Sequence, residues 1–204
     1  MGAGVAALCV ALIHHVPVDI PADSLFLQVN RIPLTGENVH TFEIHTAGGR
    51  TPVPFIGDID PRLNFQLGFI YCKPEPRFRM FERRLADLMQ ELYFEYSYSP
   101  GTHGIPANDF EAIGYLFGGR KNWRWNNRLG TYMDLGWGFQ YANHRTVDLP
   151  SRFNSTPFLD LGLWFPNRAH PYRIGLRYLH ISNARQVGTN HGQNQLFLDV
   201  GVRF

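Results

Sequence analysis

The sequence predicts an all-β protein: an eight-stranded antiparallel transmembrane β-barrel with a short N-terminal appendage. Three observations predict it. From about residue 40 onward, apolar residues recur at every second position, the period at which side chains alternate across a strand. Charged residues make up only 18% of the 204-residue chain and aromatics reach 14%, whereas average soluble proteins carry about 25% charge; the same balance argues against disorder. No apolar run reaches the roughly 18 residues that a helical membrane span requires, so a membrane-crossing chain of this kind must cross with strands.

Residues 2–13, GAGVAALCVALI, are apolar and have the length of a secretory core. No Lys or Arg precedes them and no clean A-x-A site follows, so an export signal cut after Ala22 and a buried apolar helix both stay open. The chain thus divides into residues 1–23, a signal or N-terminal apolar segment, and residues 24–204, the barrel domain. If the signal is removed, Cys72 is the only cysteine left, which fits an oxidising compartment without a structural disulfide. Residues 24–32 form an additional strand-like piece.

The strands follow in order. Residues 40–46 alternate weakly. In 63–72, Leu63, Phe65, Leu67, Phe69 and Tyr71 share a face opposite Asn64, Gln66 and Gly68. Residues 78–92 break the pattern: Phe78, Phe81, Leu85, Leu88 and Leu92 fall at helical spacing, with Arg77, Arg79, Arg83 and Arg84 nearby. This fits a short amphipathic surface helix or an irregular turn leading into a strand. In 92–98, Leu92, Phe94, Tyr96 and Tyr98 oppose Glu95 and Ser97. Residues 110–117 are a weaker strand. The clearest is 128–141, where Leu129 through Tyr141 alternate with Asp134, Gly136, Gly138 and Gln140. Its length exceeds the roughly 5–6 residues of a typical globular strand and suits a tilted membrane crossing. Residues 158–165, 172–182 and the final segment to Phe204 alternate likewise. The polar faces carry Asp134, Asp160, Arg173, Arg177, Asp199 and Arg203. A small barrel fills its interior with side chains, and there these opposite charges can pair while glycines relieve crowding. A soluble barrel would reverse the faces and show a more polar exterior than Asp134, Gly136 and Gly138 offer. The terminal Phe204 after alternating apolar positions looks like the C-terminal signal of bacterial outer-membrane proteins.

Eight strands with both ends in the periplasm put the connection after 172–183 on the cell exterior. His180 and Ser182 are two apart, so they share a face, and their parity matches lipid-facing Ile174, Leu176 and Tyr178. Asn194 has the parity of Leu196 and Leu198 on the final strand, a hairpin neighbour. The three converge on the outer wall near the outer membrane surface. A His beside a Ser can deprotonate the hydroxyl for attack on an ester, with a third group orienting the imidazole. By itself, a His-x-Ser pair on a strand is more often an interfacial polar rim.

The whole string carries more. His180-Ile181-Ser182-Asn183-Ala184, then Asn190-His191-Gly192, then a terminal strand ending in Phe resembles the PagL-type lipid A 3-O-deacylase (acyloxyacyl hydrolase) family. The likeness is specific over about 155–204 and limited to strand pattern over 40–150. It implies an eight-stranded outer-membrane barrel bearing a Ser-His-Glu triad on its outer wall, acting on lipid A or another outer-membrane lipid. It implies Ser182 as nucleophile and His180 as base. It puts Asn183 and Asn190 at the family's asparagine positions, where they and backbone N–H groups near Ala184 would help form an oxyanion hole. The family's acid, twelve residues after the nucleophile, falls here on Asn194. An amide can hold a histidine in one tautomer, yet in a serine protease the Asp-to-Asn change lowers the rate about 10⁴-fold. Cys-His-Asn enzymes nevertheless work.

Two functions follow. One is an esterase that removes a 3-linked acyl chain from lipid A. The other is a non-catalytic barrel that kept the fold and acts as a membrane subunit or lipid-binding partner within a larger assembly of proteins. The remaining histidines show no ligand spacing, so no metal site is expected. No glycine-rich phosphate loop or dinucleotide fingerprint occurs, so no cofactor is expected. The net charge of +2 and dispersed basic residues speak against nucleic acid.

Overall fold

The computed structural model describes residues 40–51, 61–74, 79–80, 83–84, 86–101, 106–166, 168–183 and 191–204. The N-terminal segment 1–23, its alternatives, and the strand-like piece 24–32 lie outside these residues.

Eight long strands form the wall: β1 Thr41–Arg50, β2 Leu63–Pro74, β3 Asp87–Tyr98, β4 Phe110–Arg124, β5 Gly130–Ala142, β6 Phe158–Phe165, β7 Tyr172–Ile181 and β8 Gln193–Arg203. Each pairs antiparallel with the next, and β8 pairs with β1, so the sheet closes on itself. Closure gives each of the eight a neighbour on both sides, so the backbone bonds within the wall, the condition for crossing a bilayer with strands. The predicted all-β, eight-stranded barrel is the observed fold.

The faces fall as the alternation requires. Leu63, Phe65, Leu135, Trp137, Leu161 and Val200 are exposed on the outer wall, and Asn64, Asp134 and Asp160 are fully buried. The interior is a web of paired charges. Arg120 donates to both carboxylate oxygens of Asp134, each at 2.7 Å, and also pairs with Glu43. Arg177 clasps Glu91 at 2.6 and 2.9 Å. Arg173 joins Glu43, Asp160 and Asp199 at 3.0 Å each. His45 bridges Glu91 and Asp199 at 3.0 and 2.8 Å. Buried charge is tolerated only when paired and hydrogen-bonded, and each of these four groups meets two or more carboxylates. Glycines make the room: a Cβ on Gly114 would lie 2.1 Å from the Tyr93 ring.

The described residues of 78–92 are strand rather than helix. Arg79–Met80 pairs with Arg83–Arg84, and Asp87–Tyr98 is continuous strand. Leu88 and Leu92 are four apart, a spacing that suits period two as well as 3.6. Pairing with β2 on one side and β4 on the other settles the matter. Strands β1 and β4 run further than the alternation suggested, through Gly48-Gly49 and Gly118-Gly119. Glycine pairs carry no side chain to mark parity.

β6 has one irregularity that shapes the site. Phe153–Ser155 is a short strand ahead of it, and Ser155 pairs with Ser182. The register is the same on both sides of the break: Leu179 opposes Phe158 and Ser182 opposes Ser155 on one flank. On the other flank Gly136 opposes Phe158 and Phe139 opposes Ser155. Pro157, which has no N–H to donate, interrupts the ladder without shifting it.

Candidate active site

The strand ends that lead into the connections 51–62, 99–109, 143–152 and 182–192 lie at the end of the barrel opposite Thr41 and Arg203. At that end, β7 and β8 bring His180 directly opposite Asn194 and Ile181 opposite Gln193. The 180/194 pair points outward by strand parity, continuing the exposed row of Leu176, Tyr178, Leu196 and Leu198. Unlike that row, Asn194 is buried and His180 half-buried.

Three contacts define the histidine. Its Nδ1–H donates to Asn194 Oδ1 at 2.8 Å. Its backbone N–H donates to the Pro157 carbonyl at 3.0 Å, so the break in β6 also anchors β7. Gly192, at φ +73°, lies against the ring edge, where a Cβ would come within 3.1 Å of Cε1. A positive φ and this close approach both favour glycine. The Gly192 N–H donates to the Asp148 carbonyl at 3.2 Å. Asn194 Oδ1 also accepts a second hydrogen bond, from the Tyr178 hydroxyl at 2.5 Å.

Ser182 follows β7 and is held by the short strand. Its N–H donates to Ser155 O at 3.0 Å, and Ser155 N–H donates back to Ser182 O at 2.7 Å. The Ser155 hydroxyl donates to the same carbonyl at 3.0 Å and sits 3.3 Å from Ser182 Oγ. Among the described residues, the structure joins His180 to Asn194 and Ser182 to Ser155, and no hydrogen bond links His180 with Ser182. Asn183 is buried beside Ser182. Ala184 and Asn190 lie outside the described residues. Asp199, on the inner face, pairs with His45 and Arg173 rather than with His180.

Tyr178, Ser155 and Pro157 carry no mark in the sequence that ties them to the site. Tyr178 had the parity of a lipid-facing residue and nothing to mark its hydroxyl. Its contact with Asn194 is diagonal across the hairpin, two residues from the His180–Asn194 pair, a reach that long aromatic side chains have. Only the β7–β8 register discloses it.

A closed barrel with an apolar outer wall and a histidine, an amide and a serine near one rim defines a small outer-membrane barrel of the kind that carries a polar cluster at the end of its strands. A family model described as lipid A 3-O-deacylase (PagL) matches residues 88–203, more than half of the chain. The chain belongs to that family. Its fold is similar to that of the outer membrane enzyme PagL, with a TM-score of 0.61 at 17% identity, covering 78% of this chain and 98% of that one. It is also similar to Neisserial surface protein A, with a TM-score of 0.54 at 12% identity, covering 80% and 95% respectively. A search of curated protein sequences finds no match. Family membership, the closed barrel and the apolar outer wall place the protein in the bacterial outer membrane.

Proposed function

We propose that the protein is an esterase that hydrolyses the 3-linked acyl ester of lipid A from the outer leaflet. The observation that carries the reading is the 2.8 Å hydrogen bond from His180 Nδ1 to Asn194 Oδ1. With Nδ1 donating, Nε2 keeps its lone pair and can accept a proton. Ser182 is the nucleophile. Its Oγ forms a bond to the acyl carbonyl carbon as its proton passes to Nε2. The tetrahedral intermediate collapses with loss of the sugar oxygen, which takes that proton, and water then frees the acyl chain by the same route. Attack requires the Ser182 hydroxyl to turn from Ser155 toward His180, a move between staggered rotamers. Because the Ser182 N–H is held by Ser155 O, the oxyanion donors fall to Asn183, Ala184 and Asn190. The apolar row of Leu176, Leu196 and Leu198 below the site offers acyl chains a path into the bilayer. Family membership supports lipid A as the substrate.

A second reading is a barrel that has lost catalysis and serves as a lipid-binding subunit. Two observations favour it: the amide of Asn194 where the family carries an acid, and the contact between the Ser182 and Ser155 hydroxyls. Mass spectrometry of lipid A from cells expressing the protein or its Ser182→Ala variant separates the two. The esterase reading expects loss of one 3-linked acyl chain that depends on Ser182. An unchanged pattern in cells holding folded protein rejects it in favour of the second.

A further inference from the structure

We propose that Tyr178 is a positioning residue: its hydroxyl sets which end of the Asn194 carboxamide faces His180, and so which tautomer the histidine adopts. The proposal rests on the esterase reading for its catalytic consequence, though not for its structural content. A carboxamide has two ends of similar shape and opposite polarity, one accepting and one donating. If the oxygen faces Nδ1, the ring carries its proton on Nδ1 and Nε2 is a free base. If the NH2 faces Nδ1, the proton moves to Nε2, and the ring cannot take the proton of Ser182. A carboxylate presents acceptors at both ends, so this ambiguity exists only because residue 194 is asparagine.

Tyr178 lifts the ambiguity. It stands two residues before His180 on the same face of β7, and its hydroxyl reaches the same Oδ1 that His180 engages, at 2.5 Å against 2.8 Å. A phenol is a strong donor and a weak acceptor, because the ring draws on the oxygen lone pair. Turning the amide round therefore exchanges a strong O–H···O=C bond for a weak N–H···O bond. Asn194 is buried, and in a low-dielectric site such a difference is felt more strongly than in water. Two donors on one oxygen hold the amide in the sense that keeps Nε2 free.

The test combines Tyr178→Phe with Asn194→Glu, singly and together, each checked for folding by heat-modifiable gel mobility. Phenylalanine keeps the apolar body of the side chain on the wall. Nitrogen-15 NMR of histidine-labelled protein reads the tautomer directly, with the His180 signals identified by their loss in His180→Gln. In the wild type, Nδ1 is expected to be protonated and Nε2 free. In Tyr178→Phe, both nitrogens are expected to shift toward a mixture of tautomers, and in the Asn194→Glu background Tyr178→Phe should leave them unchanged. Deacylation should follow: kcat falls about three- to tenfold when residue 194 is the native asparagine, the worth of one hydrogen bond, with KM little altered, and is nearly unaffected in the Asn194→Glu background. Identical ring signals in the wild type and Tyr178→Phe, or equal losses of activity in both backgrounds, overturn the proposal. Absence of activity in every variant removes the esterase reading instead, and the ring signals alone then decide the role of Tyr178.

Discussion

His180 is held by an amide at Nδ1, a proline carbonyl at its backbone N–H and a glycine against its ring edge. Under the proposed chemistry, Ser182→Ala and His180→Ala each abolish deacylation. The double variant should cost little more than either alone, because the two act as a unit. Both side chains sit outside the packed charged interior, so all three proteins should keep the heat-modifiable mobility of a folded barrel. Asn194→Glu should raise kcat by about tenfold or more, a part of the roughly 10⁴-fold that a carboxylate contributes in a serine protease, by stabilising the imidazolium formed as Ser182 attacks. Asn194→Ala should lower it by removing the orienting bond. A folded Asn194→Glu variant slower than the wild type would show that residue 194 does not serve the histidine in catalysis.

Strand-scale features decide what sequence could disclose. The faces of β2, β5 and β7 were legible because a membrane barrel imposes period two on every strand, and a one-residue slip would turn each apolar face inward. His180, Ser182 and Asn194 were legible as a group because a hairpin joins β7 and β8 and their parities agree. Partners that depend on register were not. The Tyr178 contact needs the diagonal across β7–β8, and Ser155 needs β6 to continue past Pro157 in unbroken register. Leu88 and Leu92 satisfied two periods at once, and only pairing with both neighbours chose between them. The start of β8 carries its own test. Gly192→Ala would strain a φ of +73° and press a methyl to within 3.1 Å of the His180 ring. Deacylation should drop while the gel mobility of the folded barrel persists; full activity would mean that the ring has room to move.

At the largest scale, the described barrel is a wall of apolar side chains around a core of paired charges, the reverse of a soluble domain. Its stability therefore depends on complete pairing. Arg120→Met would leave Asp134 and Glu43 short of their shared cation, and stranding a buried charge costs about 3–5 kcal/mol. Urea-induced unfolding in detergent should show that loss, whereas a variant as stable as the wild type would mean that the neighbouring arginines rearrange to cover it. The filled interior has one more consequence. Salt bridges occupy the centre of the barrel and His180 faces the outer wall, so a substrate reaches that rim by moving sideways within the leaflet. Catalysis would then be a two-dimensional encounter. Its rate should track the mole fraction of substrate in the lipid or micelle phase and stay constant when that phase is diluted with buffer at fixed composition. A rate that instead followed the bulk concentration of substrate would point to delivery through water.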